Sequence, residues 1–289
     1  MYQIKQSICY PGFAAKINED AIGYGKDYCF VMDGASCLSG VNVVHSQSDA
    51  AWMTQQVRDC LCAALDAGDD RPTEVILKEV ILPLRETYLQ ALAGKGITAP
   101  EDSPSAGFAL FRQRKGKLEF FGLGDCVGVA KFADGTQFYS LDACLPSLDQ
   151  QVLDRMLEIH KATGIPMKEA RYQCNDLLMK NRNLRNRPGG YWILDLLTDE
   201  GIENATQFSW ELQAPVAVGA FSDGFAQLAE VFHQYSDYNT LFDAMRSKDL
   251  EELFAQLCSV QDADADLNDF PRFKLRDDTS ALWGVFTPT

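Results

Sequence analysis

At 289 residues, 46% of them hydrophobic and 11% aromatic, the chain is long enough for two domains or one large one with a substantial core. Its net charge of −15 argues against general nucleic-acid binding, and no run approaches the roughly 18–20 apolar residues of a membrane helix. The nine cysteines are scattered without paired CxxC motifs, and MYQIKQSICYPGF lacks a signal-peptide pattern, so reduced thiols in a cytosolic protein are expected.

The first informative stretch is NEDAIGYGKDYCFVMDGAS, residues 18–36. Glu19 and Asp20 precede one apolar run, Asp33 ends another, and Gly25 supplies the turn between them. A hairpin centred on Lys26 sets Glu19 opposite Asp33, with β-carbons roughly 4.5–5.5 Å apart. Like charges at that distance require something positive between them.

Ser46 to Leu65 reads as a helix, because Ala50, Met53, Val57, Leu61 and Leu65 recur at helical spacing. A second helix is predicted from Thr73, which can cap it, to about Leu92, with a kink or break at Pro83. Residues 94–104 form a loop. The segment AGFALFRQRKGKLEFFGLGDCVGVAKFADGTQFYSL holds four short β segments separated by KGK, GLGD and ADG turns, an antiparallel meander.

Polar helical sequence runs from Leu148 to about Leu184, and Gly189-Gly190 ends it before a strand at YWILDLL. Ala214 to Phe221 is an apolar strand, helices occupy roughly Phe225 to Val260, an acidic loop reaches Asp269, and DDTSALWGVF is the last strand. Strands grouped with strands and helices with helices predict an α+β layered fold. Without repeats or a Ser/Gly-rich linker, residues 1–289 are expected to form a single domain.

One element recurs: an apolar strand ending in Asp beside a small residue, at FVMDGAS (Asp33), FFGLGDC (Asp125) and GAFSDGF (Asp223). Asp277-Asp278 precede the last strand in the inverse arrangement. Each alone is ordinary turn chemistry, but several at core-strand ends point to hard divalent cations such as Mg²⁺ or Mn²⁺, which prefer oxygen ligands. With only His45, His160 and His233 in the chain, a His-rich zinc site is not expected.

The ordered set of NED, an apolar strand with DG, then GD, SDG, and RDD before an apolar strand resembles the type 2C protein phosphatases, the metal-dependent PPM serine/threonine phosphatases. The resemblance spans Asn18 to Phe286 and lies in order and spacing. It implies a four-layer α-β-β-α sandwich, two antiparallel sheets with helices on both outer faces, holding two Mg²⁺ or Mn²⁺ ions at one end. It makes Asp33 the carboxylate bridging both ions, puts Asp223 and Asp277 on the first, and puts Glu19 and the Gly34 carbonyl on the second. Asp20 would hold metal-bound water, Asp125 with Asp223 a third, weaker ion, and Asp278, where many relatives have Asn, would stand behind the ligands. Phosphorylated proteins as substrates, a cognate kinase system, and in-line attack by a water bridging the two ions, with no phosphoenzyme, follow from the same resemblance.

The chain departs from the family pattern at three places. Lys16 stands where an Arg commonly binds substrate phosphate, Ala35 where many members have a candidate general-acid His, and GDCV replaces GDSR. All the proposed metal carboxylates remain, which favours an enzyme over the alternative, a catalytically silent PPM-like domain that binds phosphoproteins or regulates a partner.

Between Arg155 and Arg187 lie Arg155, Lys161, Lys168, Arg171, Lys180, Arg182, Arg185 and Arg187, opposed only by Glu158, Glu169 and Asp176. An exposed helix with a polar face accounts for this. So does a flap-like segment at about 148–188 that recruits phosphorylated or acidic substrate through Arg182, Arg185 and Arg187. QDADADLND resembles a calcium loop, but Leu267 and Phe273 occupy its required Gly and Glu positions, leaving a solvated acidic loop. VMDGAS lacks the second Asp of the haloacid-dehalogenase phosphatases, and GYGK lacks the rest of a P-loop.

Overall fold

The computed structural model describes residues 1–98, 102–140, 142 and 144–288. The chain opens with a strand that the sequence pattern does not single out, β1 (Tyr2–Tyr10), followed by the expected hairpin of β2 (Ala21–Tyr24) and β3 (Tyr28–Ala35). Its register differs by one residue from the expected pairing. Ala21 pairs Met32 and Tyr24 pairs Cys29, which carries Asp20, not Glu19, to the position opposite Asp33. Glu19 falls beside Gly34 instead.

Helix α1 (Asp49–Asp66) begins later than Ser46 because Ser48 is its cap, the hydroxyl accepting from the Ala51 N–H at 3.0 Å. Helix α2 (Thr73–Gly94) passes through Pro83 without a break, and Thr73 is not its cap: Pro72 holds that position, with no side-chain cap. A proline inside a helix costs about 3 kcal/mol. The buried stripe of Ile76, Leu77, Val80, Ile81, Leu84, Tyr88 and Leu92 outweighs it. Of the 94–104 loop, residues 99–101 lie outside the described residues, while Asp102 and Ser103 are buried.

The four expected β segments are present as β4 (Ser105–Arg114), β5 (Lys117–Leu123), β6 (Val127–Lys131) and β7 (Gln137–Tyr139). They are not one meander. β4 and β5 pair in one sheet, β6 and β7 in the other, and GLGD crosses between the sheets. Gly124 in that crossover has φ +65°, and a β-carbon there would approach Gly107 Cα to 3.1 Å, so the crossing requires glycine.

The polar helical stretch divides into α3 (Leu145–Thr163), α4 (Met167–Tyr172) and α5 (Asn175–Arg182). YWILDLL contracts to β8 (Leu194–Asp195), followed by a short α6 (Glu200–Glu203) and an unexpected strand, β9 (Thr206–Glu211). Then come β10 (Val216–Phe221), α7 (Asp223–Glu230), α8 (Tyr238–Ser247), α9 (Leu250–Ala263) and β11 (Thr279–Phe286).

Two antiparallel sheets result, ordered β1-β11-β10-β6-β7 and β2-β3-β4-β5-β9, with β8 on β4. Their inner faces share a core that includes Val31, Phe111, Phe120, Val218, Leu282 and Phe286. α1 and α2 cover the second sheet, and α7, α8 and α9 cover the first, giving the expected α+β four-layer sandwich. Among the described residues, no helix is long and apolar enough to cross a membrane. The ends of β3 and β10, the start of β11 and the β5–β6 crossover all open at one end of this sandwich, which brings the acidic strand ends together.

Candidate metal centre

The carboxylates that gather there are Asp20, Asp33, Asp125, Asp223, Asp277 and Asp278. Asp20 is fully buried, and neither side-chain oxygen has a hydrogen-bond partner. The nearby Ser280 hydroxyl donates to Cys9 Sγ at 3.2 Å. Asp223 Oδ1 is likewise buried and unpartnered, and the carboxyls of Asp33 and Asp223 face each other closely enough to share a hydrogen bond.

Burial, then the charges of Asp223, Asp20 and Asp125, pushes Asp33 well above the usual carboxylate range. Burial is also the largest cause for Asp20, with Asp278, Asp223 and Asp277 adding to it, and for Asp125, with Asp223 and Asp149 adding. Asp223 is pushed up to about 6 by burial and by Asp277. Such a cluster is stable only when protons or cations neutralise it.

The surrounding residues hold this geometry. Asp278 Oδ1 accepts the Gly12 N–H at 2.8 Å and Oδ2 the Glu19 N–H at 2.7 Å, fixing the turn that delivers Asp20. A β-carbon on Gly34 would lie 2.4 Å from the Glu19 carbonyl oxygen, so the close approach of the two strands there needs glycine. Glu19 does not join the cluster with its Oε1, which accepts the hydroxyls of Ser36 and Ser48. Asp277 Oδ1 lies 2.7 Å from Lys274 Nζ.

Sequence reasoning missed Lys274, although KLRDD sets a basic residue three positions before the Asp pair. Desolvation in the cleft lowers its proton affinity, but Asp277, Asp223 and Asp33 outweigh that and hold the ammonium protonated.

Beside the cluster opens a cleft of about 500 Å³ between α3, α7 and the segment before β11, lined by Asp125, Asp149, Asp223, Glu230, Lys274 and Asp277 among others. Burial, with Asp223 and Glu230, pushes Asp149 up to about 7. Among the described residues, no three His, Cys, Asp or Glu side chains stand in a ready ligand arrangement for an ion. The donor set nevertheless fits a hard divalent cation, being all oxygen, with the orphaned oxygens of Asp20 and Asp223 directed into the cluster.

Across its whole length the chain is similar to solved phosphatase structures. The Mycobacterium tuberculosis serine/threonine phosphatase PstP/Ppp is 13% identical, with 99% of each chain covered and a TM-score of 0.55. The PstP catalytic domain in complex with two manganese ions is 14% identical, covering 98% of each chain with a TM-score of 0.54. The PPM Ser-Thr phosphatase MsPP from Mycobacterium smegmatis, in complex with cacodylate, is 14% identical, covering 98% of this chain and 97% of its own, with a TM-score of 0.50. The chain has the fold of the PPM-type phosphatases. No protein-family model and no curated protein matches the sequence.

Lys16 is exposed, its Nζ 5.5 Å from the centre of the Phe13 ring. Within this PPM-type fold, one expectation about basic groups needs correction, that of a free basic flap. Arg182 and Arg185 do not form a free basic face. Arg182 pairs with Asp102 (3.4 Å) and donates to the Ser36 carbonyl (2.9 Å). Arg185 pairs with Asp102 (3.0 Å) and Asp195 (3.1 Å) and donates to the Ser103 carbonyl (2.9 Å).

These bonds pin α5 onto the loops that follow β3 and precede β4, and of the three arginines only Arg187 is exposed. The acidic loop is also more ordered than expected. Asp264 is buried, pairs with Arg272 at 2.6 Å, and accepts the N–H groups of Asn268, Asp269 and Phe270.

Proposed function

We propose that this chain is a metal-dependent phosphomonoesterase acting on phosphoserine and phosphothreonine in proteins, with Mg²⁺ or Mn²⁺ as its cofactor. The observation that carries the reading is the set of buried carboxylate oxygens without partners on Asp20 and Asp223, beside Asp33, at one end of a PPM-type sandwich. Asp33 would bridge two ions, with Asp223 and Asp277 on one side and Asp20 and the Gly34 carbonyl on the other. Asp125 with Asp223 offers a third, weaker position. Glu19 would join only by releasing the hydroxyls of Ser36 and Ser48.

Bound as a pair, such ions supply an activated water and offset phosphoryl charge during in-line displacement. The protein's share is positional. Asp278 fixes the Glu19-Asp20 turn, and Arg182, through the Ser36 carbonyl, fixes the loop leaving Asp33-Gly34. His160 and His233 direct Nδ1 to backbone carbonyls, and Ala35 offers no acid beside Asp33-Gly34. Phosphorylated proteins would be the substrates and the kinases that make them the functional partners.

One observation favours a silent phosphoprotein-binding module: Glu19 already has the hydroxyls of Ser36 and Ser48 as partners. Hydrolysis of p-nitrophenyl phosphate and of a phosphothreonine peptide, with and without Mn²⁺, decides between the readings. Turnover that collapses in chelator and in Asp223→Asn supports the phosphatase. Absence of turnover at full Mn²⁺ occupancy, verified by calorimetry, would leave the silent module.

A further inference from the structure

A phosphomonoester is dianionic, and the cleft it must enter carries Asp125, Asp149, Asp223, Glu230 and Asp277. The proposed ions answer part of that charge, and the rest calls for a cationic side chain at the reacting end. Most nearby candidates are engaged elsewhere. Arg182 and Arg185 are held by Asp102 and Asp195. Arg272, only 4% exposed, is paired to Asp264, and Arg276 pairs with Asp262 at 2.6 Å. Lys16 lies over Phe13.

Lys274 differs from all of these. Its side chain is 59% exposed, lines the same cleft as Asp223, and presents its ammonium at the cluster, 2.7 Å from Asp277 Oδ1. We propose that Lys274 is the residue that receives the substrate's phosphoryl oxygens, an inference that rests on the phosphatase reading above.

The segment is built to hold such a group in place. Arg272, two residues earlier, is locked by its ion pair to Asp264 and by its guanidinium lying 5.0 Å from the Phe232 ring centre. Asp264 in turn gathers three backbone N–H groups of the loop. Lys274 therefore leaves a fixed anchor on a flexible four-carbon stem, suited to follow a phosphoryl group as a point charge. An ion taking the Asp277 carboxylate would free the ammonium from that partner and leave it beside whatever the ion binds.

Lys274→Met and Lys274→Arg are compared with wild type, with Lys5→Met, an exposed lysine on β1, as the charge control. The Mn²⁺-loaded proteins are assayed with p-nitrophenyl phosphate, and inorganic phosphate and Mn²⁺ are each titrated by calorimetry. A lost charge-assisted contact predicts that Lys274→Met weakens phosphate binding and raises KM by about tenfold or more, with kcat within about threefold. Lys274→Arg keeps most of the affinity, Mn²⁺ binding is not weakened, and Lys5→Met matches wild type.

Phosphate affinity and KM within about twofold of wild type, or a change in Mn²⁺ affinity alone, would overturn the assignment and leave Lys274 as a charge balancer. If wild type has no turnover, the phosphatase reading fails, and the phosphate titration still decides the role of Lys274. A Mn²⁺-loaded wild type that neither turns over substrate nor binds phosphate removes both.

Discussion

Asp33→Asn tests the metal centre without relying on catalysis. Asp33 and Asp223 face each other, Asp20 is fully buried, and three carboxylate oxygens on Asp20 and Asp223 have no partner. Replacing Asp33 by Asn provides a permanent N–H donor toward Asp223 whatever the protonation of the cluster. Relieving an unsatisfied buried polar contact is worth about 1–3 kcal/mol.

Unfolding entropy near Tm is about 2.1 cal/mol/K per residue, or roughly 0.6 kcal/mol/K over the 289 residues, so the variant should melt about 2–5 °C higher in chelator. Wild type in Mn²⁺ at about 100 times Kd gains about 2.7 kcal/mol, a rise of about 4–5 °C, and the variant gains little. Thermal unfolding of both proteins in chelator and in Mn²⁺ reads all four values. An equal Mn²⁺ shift in the two proteins, or a variant that melts lower in chelator, would refute an ion bound through Asp33.

Two further outcomes follow from the charges around this centre. Arg185→Met leaves Asp195, its side chain 4% exposed, without its cation, and leaves Asp102 only Arg182 at 3.4 Å. Breaking a buried pair costs about 3–5 kcal/mol, to be read from urea unfolding and insensitive to salt. Unchanged stability with a salt-dependent rise in KM would instead restore the free-flap reading. Asp149 concerns pH: its folded value of about 7 lies above the ordinary carboxylate value, so the folded protein holds a proton that the unfolded chain releases. The stability contributed by Asp149 is thus lost as pH rises from about 4 to about 7. Asp149→Asn should be more stable than wild type by up to about 4 kcal/mol near pH 8 in chelator and no more stable near pH 4. An advantage that does not change with pH would contradict this assignment.

The strand-end carboxylates were legible in the sequence because strand termination by Asp beside a small residue is a local signal. The elements that escaped notice lack such a signal. β1 carries a register irregularity between Ile4 and Gln6, so Tyr2 and Ile8, an even number of residues apart, pack into different core clusters where a regular strand would put them on one face. β9 is an edge strand with almost every residue exposed, and its pattern names no buried face. The GLGD segment has the composition of a hairpin turn, and only the partners of β5 and β6 elsewhere in the chain make it a crossing between sheets. Arg182 and Arg185, at the end of α5 and just beyond it, had visible charge, but their partners Asp102 and Asp195 come from other parts of the chain.

The hairpin register shows how fine the remaining distinction is. Tyr24 pairs Cys29 and the Gly25 N–H donates to the Tyr28 carbonyl at 3.0 Å, so the reversal is made by Lys26 and Asp27 together and not by Lys26 alone. Residue identities do not choose between those two centres, because either leaves an acidic residue opposite Asp33. Packing does. Met32 and Phe30 are buried beneath α1 and α2, and Ala21 and Gly23 must pair them. A β-carbon on Gly23 would strike the Phe30 ring at 2.2 Å. A slip of one residue would turn the side chains of β2 to the opposite face. The same constraint puts the shorter acid, Asp20, into the buried position across from Asp33 and leaves the longer Glu19 to reach Ser36 and Ser48. Which acid is left with orphaned oxygens for a cation is therefore decided by the aromatic core under the hairpin.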